Sequence, residues 1–150
     1  MKLSATEQVF IDKMGWGKAR VTPIQGDASA RRYTRLSVAG HSAVLMQTPL
    51  DQIASQTAFQ SIAAYLRNLG LSAPTIFGED IQNGLMLVED FGDASYTSLL
   101  EQSPNQEMAL YDAAFDVLHI LARTGTMGGL PVLSALELAR LTAVTFEELP

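Results

Sequence analysis

Apolar residues along this chain change their spacing twice, and the changes outline its architecture. Ser4-Ala5-Thr6-Glu7 has capping-box spacing. Val9, Phe10 and Met14 then continue a short amphipathic helix that Gly15 can end. Three strand-like runs follow. Val21-Thr22-Pro23-Ile24 leads into the turn-rich Gln25-Gly26-Asp27-Ala28-Ser29, residues 32–38 alternate in polarity, and Ala39-Gly40-His41 supplies a turn into Ala43-Val44-Leu45-Met46. Helical spacing returns after Pro49-Leu50-Asp51. Ile62, Tyr65, Leu66 and Leu69 sit at i, i+3, i+4 and i+7, which predicts one buried face, and Gly70 is a good stop. Two short apolar runs, 74–77 and 85–88, flank a stretch that ends in the hairpin signal Asn83-Gly84. The front of the chain therefore predicts an antiparallel sheet of five strands, residues 20–88, covered by the helix after Asp51.

Beyond Phe91-Gly92-Asp93 the pattern is helical only. Residues 97–101 predict a short turn. Ser103 and Pro104 suit the cap and first position of a helix whose face carries Met108, Tyr111, Phe115, Leu118 and Leu121. A loop over 126–131 precedes a last helix expected over 134–148. The shift near Gly92 is the one candidate domain boundary, and it divides the chain into 1–91 and 92–150.

Composition narrows the function classes. Among 150 residues, 47% are hydrophobic and 17% charged, enough apolar material for one core. No run approaches the roughly 18 apolar residues of a membrane helix, and the N-terminus lacks an apolar signal core. There is no cysteine, so disulfide and thiolate chemistry are excluded and a cytoplasmic location is the expectation. Net charge is −6, and only Arg31, Arg32 and Arg35 cluster, too little basic surface for a nucleic-acid footprint. His41 and His119 lack partners at metal spacing, so no metal site is expected in this chain.

Three strands, a helix, two strands and then helices is also the order of a protein-kinase-like N-lobe followed by the start of a C-lobe. The local motifs carry the resemblance further. Gly26-Asp27-Ala28-Ser29-Ala30-Arg31-Arg32-Tyr33 resembles the Gly-Asp-Ala-Ser-x-Arg-Arg-Tyr segment of a bacterial family within the aminoglycoside phosphotransferase-like kinases, one that includes anomeric kinases of N-acetylmuramate and N-acetylglucosamine. Val44-Leu45-Met46-Gln47-Thr48-Pro49 resembles that family's third strand, and residues 59–66 its first-lobe helix. Leu85-Met86-Leu87-Val88-Glu89-Asp90-Phe91-Gly92-Asp93 resembles its hinge. The similarity runs from about residue 4 to about residue 148. It implies an α+β fold: a five-stranded antiparallel N-lobe with one helix, residues 1–91, and the first helices of an incomplete α-helical C-lobe, residues 92–150.

The resemblance implies an ATP-dependent phosphotransferase acting on a hydroxyl of a small polar acceptor, an amino sugar first. The backbone of Gly26, Ala28 and Ser29 would approach phosphate oxygens, with the Ser29 hydroxyl adding a donor and Asp27 capping the turn. A plain hairpin turn explains the same four residues. The alignment puts Met46 where kinases carry a phosphate-contacting lysine, and Phe59 where its glutamate partner would sit, so both halves of that ion pair are absent together. Arg31 or Arg32 would then meet the phosphates, unless both are solvated loop residues. Val44 would roof an adenine slot and Leu87 gate its back, although core packing accounts for both; Val88, Glu89 and Asp90 would present main-chain groups to the adenine edge. Asp90-Phe91-Gly92 mimics the kinase metal-binding triplet, but it follows the fifth strand directly with no catalytic loop before it, so it reads as hinge. The chain contains no His-x-Asp. A catalytic base, ligands for Mg and the acceptor pocket are therefore expected beyond Pro150, and the 150 residues alone are expected to bind nucleotide weakly, transfer no phosphate and tend to self-associate. A non-catalytic nucleotide-binding or protein-interaction module is the alternative, which the missing lysine–glutamate pair allows.

Overall fold

A computed structural model describes residues 2–25, 30–130 and 133–140. The chain divides into two compact units, Met1–Val117 and Leu118–Pro150. In the first, a five-stranded antiparallel sheet is built from β1 (Arg20–Ile24), β2 (Arg32–Val38), β3 (His41–Gln47), β4 (Ile76–Asp80) and β5 (Leu85–Glu89), in the order β1-β2-β3-β5-β4. Pro23 sits in β1, an edge strand, where its missing N–H leaves no gap in the ladder. Ala39 and Gly40 both have positive φ, the twisted two-residue geometry that joins β2 to β3.

Alternation along the strands gives the sheet two apolar faces, each with its own helix. Helix α1 (Ala5–Lys13) starts on the predicted capping box: the Ser4 hydroxyl accepts from the Glu7 N–H, and the Glu7 carboxylate accepts from the Ser4 N–H at 2.6 Å. Its Phe10 and Ile11 pack on Leu36, Ala43, Leu45, Leu85 and Leu87. Each fully buried leucine there contributes roughly 1.5–3 kcal/mol by removal from water. The opposite face carries Val44, Met46, Met86 and Val88, with Ile24, Tyr33, Ile76 and Phe59 packed against them. Phe59 belongs to α2 (Ile53–Asn68), which follows a short 3-10 turn at Leu50–Gln52.

The face that α2 buries differs from the expected one. Ile62 is 40% exposed, while Gln56 and Ala63 are buried and Phe59 is half-buried. The inward stripe therefore runs 56–59–63–66. A small residue at 63 lets the helix approach, and Gln56 reaches in to donate to the Leu85 carbonyl at 3.2 Å. The predicted stop at Gly70 holds: its N–H donates to Arg67 O and that of Leu71 to Leu66 O, a Schellman end with Gly70 at φ +77°. At the β4–β5 hairpin the chain inserts a 3-10 turn, Ile81–Asn83, before Gly84 at φ +66°. A Cβ on Gly84 would lie closer to the Thr48 carbonyl oxygen than the 3.0 Å that real Cβ contacts respect, and the Thr48 N–H donates to Gly84 O. That glycine is required by the close approach of β3's end as well as by its φ.

After β5 come α3 (Tyr96–Gln102), capped by Ser95, and α4 (Glu107–Arg123), reached through a 3-10 turn at Pro104–Gln106. No residue of α4 is buried; of its predicted apolar face Met108, Tyr111, Phe115 and Leu118 are exposed, Met108 by 72%, and Leu121 is half-buried. In the second unit, Ser134 and Glu137 form a capping box that opens a helix over 135–140. The rest of the helix expected to 148, and Pro131 and Val132, lie outside the described residues.

Candidate functional site

Register decides which predicted residues can share a site. In the sheet Val44 pairs with Arg35 on β2 and with Val88 on β5, while Leu45 pairs with Leu87. Paired residues of an antiparallel sheet point to the same side and their neighbours to the other. Val44, Met46, Met86 and Val88 thus form one apolar face on the α2 side, and Leu87 is in the core beneath α1. Leu87, expected to gate the back of the slot, stands on the strand neighbouring Val44 and faces the opposite way. Val88, one residue on, occupies the face assigned to Leu87, and Met86 shares it.

The same alternation separates the two arginine candidates. Arg32 turns to the α1 side, where it bonds Gln47 and lies 3.6 Å from the Glu7 carboxylate. It lines a shallow cleft of about 300 Å³ with Ala30, Gln47, Thr48, Pro49 and Leu50. Arg31 turns to the α2 side. Its Nη2 donates to the carbonyl and hydroxyl of Ser55 at 2.9 and 3.0 Å, and its guanidinium lies 5.6 Å from the Phe59 ring centroid. Phe59 in turn packs on the cluster that contains Met46, which is fully buried. At the positions expected to match the kinase lysine and glutamate, Met46 and Phe59 are two packed apolar side chains, with an arginine resting on the second.

At the hinge end of the face a polar network replaces the apolar floor. Arg35, opposite Val44, donates from Nε and Nη2 to Asp90 at 2.7 and 3.0 Å and from Nη1 and Nη2 to Asp93 at 2.8 and 2.9 Å. Asp90, with 4% of its side chain exposed, also accepts from the Gly92 N–H at 3.0 Å and from Ser42. Burial works to raise its carboxyl, but the bonds from Arg35, Gly92 and Ser42 and the arginine's charge outweigh burial and hold it below the ordinary carboxylate range. Arg35 itself is raised, by its bonds to Asp93 first and to Asp90 second. The Asp90 carboxylate is thereby occupied within the protein. Glu89 is likewise tied down: its N–H donates to Thr75 O at 2.8 Å, and its carboxylate accepts from the Thr75 N–H and hydroxyl, which lower it. Val88 and Glu89 lie within β5, an interior strand, so Asp90 is the first of the three to stand past the ladder.

Gly26, Ala28 and Ser29, the predicted phosphate loop, and Asp27 lie outside the described residues. Among the described residues no three His, Asp or Glu side chains are grouped to hold a metal, and no helix is long and apolar enough to cross a membrane. Sequence reasoning missed the Arg35 network. Arg35 was legible only as the third member of a small basic cluster, and its partners are 55 and 58 residues away. An acid at each of 90 and 93 was the available signal, without anything to say which cation they meet.

The model of the phosphotransferase enzyme family matches residues 20–148. Among curated proteins, the chain is similar to a protein named N-acetylmuramate/N-acetylglucosamine kinase from Pseudomonas aeruginosa, with 31% identity over 131 residues, 85% of this chain and 38% of that protein. A Caulobacter vibrioides protein of the same name is 32% identical over 140 residues, and one from Pseudomonas putida 31% over 106. The matches span 38%, 38% and 30% of the lengths of these relatives.

Proposed function

Because the chain belongs to the phosphotransferase enzyme family, we propose that it forms the nucleotide-binding portion of an ATP-dependent kinase for a hydroxyl of a small polar acceptor, an amino sugar by the names of its relatives. One observation carries the reading. A single sheet face carries Val44 and Val88, both buried in the α2-side cluster, between Arg31 at one end and the segment from Asp90 at the other. Four residue steps of extended chain lead from Arg31 to Arg35, about 13 Å at roughly 3.3 Å per step, a length suited to a base at one end and phosphates at the other.

In this proposal the base lies on Val44 and Val88 with its polar edge toward the main chain of Asp90. Arg31 supplies the cation that the third strand lacks, and the loop of Gly26, Ala28 and Ser29 adds backbone donors. Arg32, facing α1, and Glu89, tied to Thr75, take supporting places. Bound Mg would neutralise charge developing on the transferred phosphoryl group, a role the fixed charge of Arg31 complements. No catalytic residue is assigned within this chain, and the division into a nucleotide-binding lobe, 1–91, and the start of a helical lobe, 92–150, belongs to the same proposal, as does a cytoplasmic location. The open apolar face of α4 favours association with other apolar surface, including a second copy.

The buried Met46 and its neighbour Phe59 favour one competing reading, a module that binds nucleotide without catalysis. A radiolabel transfer screen with the full-length protein across N-acetylated hexosamines, aminoglycosides, choline and protein substrates separates the two. Transfer to an amino sugar is expected; ATP binding with no acceptor in any class would sink the kinase reading and promote the module.

A further inference from the structure

The Arg35 network lies on the same sheet face as Val44, directly across the strand from it, and spans from β2 to the segment after β5. Its geometry is unusual for a surface ion pair. One planar guanidinium makes four bonds of 2.7–3.0 Å to two carboxylates, one of them buried. The same buried carboxylate caps the Gly92 N–H two residues on and accepts from Ser42 on β3. Three strands and the hinge backbone therefore meet at Asp90. A lysine could not replace this arginine, since a single ammonium lacks the fork that fits both acids.

We propose that Arg35 is a positioning residue for recognition of the nucleotide base. By clamping Asp90 and Asp93 to β2 it sets the height and direction of the hinge main chain relative to the Val44–Val88 floor. Specificity for adenine requires this. A base stacked on an apolar floor is held in any orientation, whereas reading its edge needs backbone groups within a few tenths of an ångström of hydrogen-bond distance. The segment 90–93 lies at the end of a strand and contains Gly92 at φ +75°, so without a tether it has several accessible conformations. The clamp removes that freedom before the base arrives, which is preorganisation. This inference rests on the proposed nucleotide site, and it assigns Arg35 to the base end as distinct from Arg31 at the phosphate end.

The test is equilibrium titration of the full chain with ATP and with ITP, whose base carries a carbonyl oxygen in place of the exocyclic amine. Wild type should prefer ATP. Arg35→Ala should weaken ATP on the order of tenfold and bring the ATP/ITP ratio close to one, whereas Arg31→Ala should weaken both nucleotides and leave the ratio intact. Arg35→Lys should behave as Arg35→Ala, because charge without the fork does not hold both carboxylates. Should the Arg35 variants fail to fold, Asp93→Asn removes the exposed half of the clamp; a reduced ATP/ITP ratio and faster amide exchange at Gly92 and Asp93 are then expected. An unchanged ratio in folded Arg35→Ala, or in Asp93→Asn, overturns the positioning role while leaving the nucleotide site standing. Wild type that binds neither nucleotide overturns the site itself, and the inference with it.

Discussion

Restoring the kinase lysine at position 46 should damage this protein, and the size of the damage tests how the α2 face is built. Met46 is fully buried among Val44, Met86 and Val88, with Tyr33 and Phe59 against the cluster. None of these is an acid that could neutralise an ammonium, and a cation, Arg31, already lies over Phe59 on the same side. A fully buried lysine without a partner drops from a pKa of about 10.4 toward roughly 5–6. Near pH 7 the folded side chain is then neutral and the unfolded one charged. Folding must remove a proton across about 3.4 units, at about 1.4 kcal/mol each, so Met46→Lys should cost roughly 4–5 kcal/mol. That is a large part of the 5–15 kcal/mol typical of a domain. The folded pKa is the depressed one, so the penalty is full below it, shrinks as pH rises, and vanishes near the unfolded value. Met46→Leu, nearly equal in volume, should cost less than about 1.5 kcal/mol at any pH. Adding Phe59→Glu to Met46→Lys should recover part of the loss by supplying the missing acid. Urea unfolding followed through Trp16, the one tryptophan, which packs against the α1-side core, reads all three variants. A Met46→Lys cost below about 1 kcal/mol that does not change with pH would mean the side chain reaches water, and the packed replacement of the ion pair would be wrong.

Three further outcomes follow from the same structure. Gly84→Ala should cost more than about 2 kcal/mol, because strain at positive φ adds to a collision with the Thr48 carbonyl, while Gly40→Ala, in open space at φ +81°, should show only the strain of about 1–2 kcal/mol; thermal midpoints compare them. On α2, Ile62→Ser should lie within about 0.5 kcal/mol of wild type, whereas Ala63→Leu should cost about 1–3 kcal/mol by overpacking; equal costs would return Ile62 to the buried face. Asp90 has a lowered folded pKa, so its contribution is present above the unfolded value of about 3.9 and lost as pH falls through the lower folded value. The stability gap between wild type and Asp90→Asn, measured by urea unfolding across acid pH, should therefore close below about pH 4, and a gap that widened there would refute the assignment.

What the sequence determined alone was everything set by near neighbours along the chain. Ser4 and Glu7 specify a helix start whatever surrounds them, and the alternation of 32–38 specifies a strand. Gly70 ends a helix because its own φ permits it. Order and type of elements followed, and with the Gly26–Tyr33 motif so did the family. What only tertiary structure decided was facing. Ile62 and Gln56 lie on different sides of one helix, and hydrophobicity alone favours the wrong one; burial of Gln56 depends on the Leu85 carbonyl, 29 residues away, being there to accept its bond. Leu87 and Val88 are adjacent and both apolar, so no local pattern shows which of them shares a face with Val44. That follows from pairing between β3 and β5, whose strands are separated in sequence by a helix and a third strand, and a shift of one residue would exchange the two faces. The same holds for Arg31 and Arg32, indistinguishable by chemistry and separated only by the pleat, and for Arg35, whose partners at 90 and 93 are brought to it by the closing of the sheet.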